Sequence, residues 1–307
     1  MKLAVFNDGK VGAIDNDRVY DLSGIIPGYN IGGQDNMITL IESFDSLRGK
    51  IESAIVADEG LPLTEVRLQA PIQRPGKILC MGSNYLEGTQ GPPLPVWAFF
   101  KSAESILGPE GTVQLPSVEV RIFHHEAELV AVIGKEGKNV SRDNALSHVF
   151  GYTVGIDVSA RQEIFTQSLF NKSHDTFAPI GPYIVTADEI PDPHSLRVQL
   201  WVDGQPRHDF NTSDMGHQIP DCLEYVSAVT SLNPGDLIFT GTNHQGIGPM
   251  QDGERVETKI ERIGSFCVNV SDPLKRSWPK EIEAEMGDRV LYMIEEGLSP
   301  GGTRVHR

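Results

Sequence analysis

The chain is short of cysteine, of positive charge and of long apolar runs, and each shortage removes a class of protein. Cys80, Cys222 and Cys267 are odd in number and far apart in 307 residues. They form neither a disulfide framework nor a zinc motif, and they fit a reducing, cytoplasmic setting. Twenty-six Lys and Arg stand against 42 Asp and Glu, a net charge of −16. That balance argues against a nucleic acid or an anionic membrane as partner, because both require basic patches. No segment approaches the roughly 20 apolar residues that span a bilayer, and the run after Met1 is too short for a signal peptide. Internal repeats and low-complexity tracts are also missing. What remains is a globular chain with 39% apolar residues, enough for a large core in one to three domains.

Local patterns divide it. Residues 2–6, 11–14 and 19–22 read as strands, with Asp8-Gly9 as a hairpin turn. Ile38, Leu40, Ile41, Phe44 and Leu47 give residues 37–56 a helical period, and this helix is expected to pack on the hairpin. Arg74-Pro75-Gly76 punctuates a boundary. The expected units are a small β-rich N-terminal domain (1–74), a catalytic domain (75–272) and a C-terminal extension (273–307). Further strands are expected at 77–82, 196–205 and within 256–270. Helices are expected at 141–150, with Ser141 as N-cap, at 219–232 and at 278–296, followed by a loose tail at 297–307. The fold class is α+β, mostly β.

Chemistry concentrates in the middle. Residues 123–134, Phe-His-His-Glu-Ala-Glu-Leu-Val-Ala-Val-Ile-Gly, end in an apolar run closed by glycine, the composition of a buried strand. Alternation places His124, Glu126, Glu128, Val130 and Val132 on one face, polar at one end and apolar at the other; His125 points the other way, as a core histidine would. Residues 151–159 form a second strand-like run with Asp157 between Ile156 and Val158. Asp is a poor strand former, and an unpaired carboxylate there would be costly to bury. Three oxygen ligands converging on Mg²⁺ or Mn²⁺ account for all three acids. A Glu-x-Glu strand is also the ordinary solvated face of a half-exposed sheet, and spacing does not show that Glu128 and Asp157 meet.

These residues resemble the fumarylacetoacetate hydrolase superfamily, with its Glu-x-Glu-Leu-x-x-Val-Ile-Gly block followed by Gly-Tyr-x-x-x-Asp-x-Ser-Ala-Arg. The blocks at 172–182 and 232–242 are similar to two more of its motifs, in the same order, over roughly residues 77–270. The resemblance implies a rolled mixed β-structure, a homodimer, and Glu126, Glu128 and Asp157 as metal ligands. It further implies that Lys172 reaches the substrate's oxygens, that Thr242 lies on the pocket floor, and that Tyr85 and Arg161 sit at substrate-binding positions; a structural ion pair is the other reading of Arg161. Lys101 is a further cation that could attract an anion.

Two loops depart from the pattern. Where relatives carry Asn-Tyr-x-x-His-x-x-Glu, this chain has Gly88 at the His and Gly91 at the Glu, so the pair that activates water in many members is missing from its usual loop. A base must then come from elsewhere, from His124 by strand alternation or from Glu87 on the loop. The loop's Pro and Gly content suggests one that moves or is ordered by ligand. Residues 240–248 gain one residue over the family's Thr-Gly-Thr-Pro-x-Gly-Val-Gly and lose its proline, making His244 and Gln245 polar candidates at the site edge. Ile164 falls where several relatives carry a substrate-contacting glutamine.

The leading expectation is a metal-dependent hydrolase that cleaves a carbon–carbon bond in a 1,3-diketone or acylpyruvate-like 2-oxo acid. The cation leaves positions open for two substrate oxygens and stabilises the enolate. With the cation counted the site is still about one unit negative, so an anionic substrate needs Lys172, with Arg161 or Lys101 as a second cation. One alternative is a decarboxylase or tautomerase of a β-keto acid such as oxaloacetate, which requires no activated water. The other is a metal- and ligand-binding protein without turnover.

Overall fold

The computed structural model describes residues 1–162 and 168–298. The strand Ala127–Ile133 lies inside the larger of two main sheets, antiparallel to Val149–Ile156 on one side and to Leu237–Phe239 on the other. Ala178–Thr186, Lys2–Phe6, Lys10–Asp15 and Arg18–Asp21 continue the sheet in one direction. Ile78–Met81, parallel to Leu237–Phe239, and Ala98–Lys101 finish it in the other.

The apolar run of Ala127–Ile133 follows from cover on both faces. Leu129, Ala131 and Ile133 join a core with Val198, Leu200, Val256 and Val268 of the second sheet. Val130 and Val132 join another with Leu40, Ile41, Phe44 and Leu47 of the helix Asn36–Ala57. Each such side chain, fully buried, contributes about 1.5–3 kcal/mol. Opposite Glu128, Gly155 is required by close approach: a Cβ there would lie 2.6 Å from both Phe239 and Val130.

The second sheet orders Gln205–Asn211, Arg197–Val202, Arg255–Ile260, Gly264–Ser271 and Thr112–Gln114. Its strands alternate, with Val256, Thr258 and Ile260 inward and Arg255, Glu257 and Lys259 outward. The mostly-β α+β architecture is thus two sheets with one shared core and the long helix outside. The N-terminal strand pairs Lys2 with Val185, so the first unit extends the main sheet. No helix among the described residues is long and apolar enough to cross a membrane.

Several boundaries differ from the sequence reading. The last helix is Ala284–Glu296, not 278–296, because Trp278 precedes Pro279 and the residue before a proline is driven to extended backbone. That extended segment is held instead by Trp278, whose indole N–H donates to the Arg121 carbonyl at 2.6 Å. The helix at 219–232 stops at Val229, since Leu232 is drawn into a backbone bridge with Gly137. Residues 142–148 form a 3₁₀ helix in which Ser141 makes no side-chain capping bond.

Candidate active site

The run at 123–134 is two strands, not one. Ile122–His124 pairs with Ser159–Arg161, and Ala127–Ile133 pairs with Val149–Ile156. The register is the same on both sides of the gap, with His124 opposite Ser159 and Ala127 opposite Ile156. Between them the ladder opens, keeping only the Asp157 N–H to Glu126 carbonyl bond at 2.8 Å. Glu126 and Asp157 are therefore cross-strand neighbours, and Glu128 follows two residues on, so the hairpin itself brings the acids together. Their carboxylate oxygens lie within 4.8 Å of one another, and all three residues are buried.

Cations surround two of the three. Lys172 Nζ donates to Glu126 at 2.9 Å and to Asp157 at 2.7 Å. Arg161 donates to Glu126, and Ser159 Oγ donates to the same oxygen at 2.7 Å. Burial works to raise the Glu126 carboxyl, but Lys172 and Arg161 outweigh it and hold Glu126 well below the usual carboxylate range. For Lys172, burial favours the neutral amine, yet Asp157 and Glu126 raise it further and keep it an ammonium. Among the described residues Glu128 accepts only from the Gly241 N–H, at 2.6 Å. Burial, and then Asp157 and Glu126, push Glu128 well above the usual range. Such an acid takes up a proton or shares a cation, and an all-carboxylate donor set suits a hard divalent ion.

The sequence-derived candidates divide. Lys101 is completely buried at its side chain and donates to Asp157 and, at 3.2 Å, to the Val158 carbonyl, so it holds Asp157 in place. Tyr85 is 1% exposed, stacked edge-on to Phe210 at 5.0 Å. Thr242 is buried beside Gly241. Ile164 lies outside the described residues. His124 is engaged at both nitrogens: Nδ1 accepts from Arg161 Nε at 3.1 Å, and Nε2 faces Glu283. Burial lowers the His124 pKa to about 4, so the ring is neutral. His125 packs against His208, ring centres 5.2 Å apart, as a core histidine.

The largest surprise concerns Glu87, the second candidate base. Its side chain is fully buried and accepts from His244 Nδ1 at 2.8 Å and from the His244 N–H at 2.9 Å. The loop around it is tethered: Asn84 Nδ2 donates to the Thr240 carbonyl at 2.8 Å, and Gly88 N–H to Asp214 at 3.1 Å. Sequence singled out Glu87 and His244 separately and gave no sign that they meet. It missed Glu283 altogether, since nothing in a charged C-terminal stretch marks one acid. Ser159 could have been found, because it stands two residues after Asp157 on an alternating strand.

Three buried carboxylates ringed by Lys101, Lys172 and Arg161 fit a site for a divalent cation. Residues 77–271 match the family model described as fumarylacetoacetate (FAA) hydrolase, C-terminal. The chain is 33% identical over 290 residues to maleylpyruvate hydrolase of Aquipseudomonas alcaligenes, across 88% of this chain and 99% of that one. It is 38% identical over 219 residues to the human mitochondrial oxaloacetate tautomerase, across 66% and 69% of the two chains. The solved maleylpyruvate hydrolase of Sphingobium sp. SYK-6, in complex with manganese(II) and pyruvate, superposes with a TM-score of 0.80 at 38% identity, covering 89% of this chain and 99% of that one. The chain belongs to the fumarylacetoacetate hydrolase family, as a metal-dependent hydrolase.

Proposed function

We propose that the chain hydrolyses the carbon–carbon bond of an acylpyruvate-like 2-oxo acid or related 1,3-diketone, with Mg²⁺ or Mn²⁺ held by Glu126, Glu128 and Asp157. The observation that carries this reading is the buried carboxylate cluster with Lys172 bridging two of its members. The manganese and pyruvate bound by the Sphingobium relative support both the ion class and the product half. A divalent cation there supplies Lewis-acid polarisation of the substrate's oxygens and offsets charge developing on the pyruvate half. Lys172 and Arg161 orient the substrate carboxylate, and Lys101 holds Asp157 in place. Thr242 and the buried Tyr85 floor the pocket.

A second reading, tautomerisation or decarboxylation of oxaloacetate, is favoured by Gly88 and Gly91, which carry no base. It gains support from the human tautomerase relative. Purified protein with Mg²⁺ or Mn²⁺, assayed against acylpyruvates, oxaloacetate and simple diketones, separates the two. Carboxylic acid plus pyruvate is the expected product pair, whereas turnover of oxaloacetate alone selects the second reading, and binding without any product refutes both.

We further assign a homodimer in a reducing cytoplasm, where free Cys80, Cys222 and Cys267 are at home. The strand Ala98–Lys101 ends the main sheet with Phe100 half exposed, and Leu169, 75% exposed, stands on the neighbouring helix Ser168–Lys172. An open edge with apolar side chains invites pairing. Light scattering at micromolar concentration is expected to give twice the 33.7 kDa chain mass, and a monomer mass overturns the assignment.

A further inference from the structure

We propose that His244, oriented by Glu87, is the general base of this site, a catalytic pair assembled from two loops. The inference rests on the hydrolytic reading above and names the group that reading leaves open.

The geometry has four parts. Glu87 adopts φ +55°, a left-handed conformation that costs a non-glycine residue about 1 kcal/mol or more, and in it the carboxylate points inward to His244. Accepting from His244 Nδ1 fixes the tautomer: the proton is on Nδ1 and the lone pair is on Nε2. Nε2 has no hydrogen-bond partner among the described residues and is not sealed, unlike the nitrogens of His125 and His208. Finally, His244 follows Gly241 and Thr242 on the loop whose Gly241 N–H binds Glu128, and its imidazole lies within electrostatic reach of Glu126.

The support is rigid. Gln245 Nε2 donates to the Glu87 carbonyl at 2.7 Å, and Asn243 Nδ2 donates to Asp214 at 3.1 Å. The C-terminal helix closes over both loops: a Cβ on Gly287 would lie 3.2 Å from Gln245 Cα, and one on Gly91 would lie 3.1 Å from Ile294. The rival base His124 is fully buried, with Nδ1 accepting from Arg161 and Nε2 against Glu283.

In the proposed step a water gives one proton to His244 Nε2 while its oxygen bonds to the acyl carbonyl carbon of the substrate. The bond from that carbon to the methylene carbon breaks, and its electron pair leaves on the pyruvate half as the enolate. The proton held by His244 then passes to the methylene carbon. One acylpyruvate and one water become one carboxylic acid and one pyruvate, with no change of oxidation state overall. Glu87 is a positioning residue, which holds the ring and stabilises the imidazolium.

The test compares wild type, His244→Gln and Glu87→Gln, each with Mg²⁺, in two assays: hydrolysis of acetylpyruvate, and hydrogen–deuterium exchange of the pyruvate methyl group in D₂O. His244→Gln is expected to slow both about 10²–10⁴-fold, with Mg²⁺ affinity by calorimetry and the KM for acetylpyruvate near wild type. The acid limb of the pH–rate profile should vanish in His244→Gln. It should move to lower pH in Glu87→Gln, which removes the carboxylate facing the imidazolium; Asp214, Glu126 and His208 are the other titratable groups around it and are unchanged. Wild-type rates in His244→Gln, or an unmoved acid limb, overturn the pair. If wild type hydrolyses no acylpyruvate, the hydrolytic reading fails, and exchange alone judges the pair: loss in His244→Gln supports it, and equal rates or no wild-type exchange overturn it. Should Glu87→Gln prove unfolded by thermal denaturation, the His244→Gln arm decides.

Discussion

Calorimetric titration of Mn²⁺ into metal-stripped protein gives one binding event in the wild type and none in Glu128→Ala, with hydrolysis lost in parallel. Glu128 is the cluster member with no ion pair among the described residues, and burial with its two acidic neighbours already pushes its carboxyl upward. Removing it leaves Glu126 and Asp157 satisfied by Lys172, Arg161 and Lys101, so the ion loses the ligand freest to bind it. The substitution also strands the buried Gly241 N–H, at about 1–3 kcal/mol. Glu128→Gln retains that bond, and the same loss of Mn²⁺ binding there separates ligand chemistry from packing. Thermal unfolding provides the second readout: Mn²⁺ at 100 times its Kd stabilises the wild type by about 2.7 kcal/mol and neither variant at all. Unchanged Mn²⁺ affinity in both would remove the metal assignment.

Lys172→Met lowers kcat/KM about 10²-fold, the scale for misplacing a substrate whose carboxylate the ammonium orients. Mn²⁺ affinity is not expected to fall, because the ammonium bonds to two of the same carboxylates that would hold the ion. The variant should be less stable without metal, since Glu126 and Asp157 lose a buried counter-charge, a change on the order of 3–5 kcal/mol. Mn²⁺ restores part of it. Full activity in Lys172→Met would sink the role given to this residue, whichever reaction the site performs.

How far these residues could be read in advance depends on what fixes each one. Alternation along 127–133 is a local property, so the two-faced burial of Leu129 and Val130 was legible from composition. The acids at Glu126, Glu128 and Asp157 were legible as anomalies among apolar neighbours. Convergence was not, because it depends on a hairpin register that no residue announces. The break at His125–Glu126 was equally hidden: both halves are strand-like, and only pairing with Ser159–Arg161 separates them. Lys101 and His124 had the right neighbourhood, but their partners Val158 and Glu283 were invisible until the chain was folded. Glu87 and His244 belong to loops distant in sequence, and tertiary packing alone makes them a pair.

The ladder that sets Glu126 opposite Asp157 also decides which changes of length the chain can absorb. Residues 134–148 merely return the chain from one strand to its partner, so insertions there leave side-chain parity in both strands untouched. The two acidic segments can therefore stand farther apart in sequence and still form the same cluster. A single residue inserted between Glu128 and Val130 has the opposite result, turning both glutamates onto the face of Leu129 and into the core shared with the second sheet. Parity, rather than spacing, is what descent must preserve in this site.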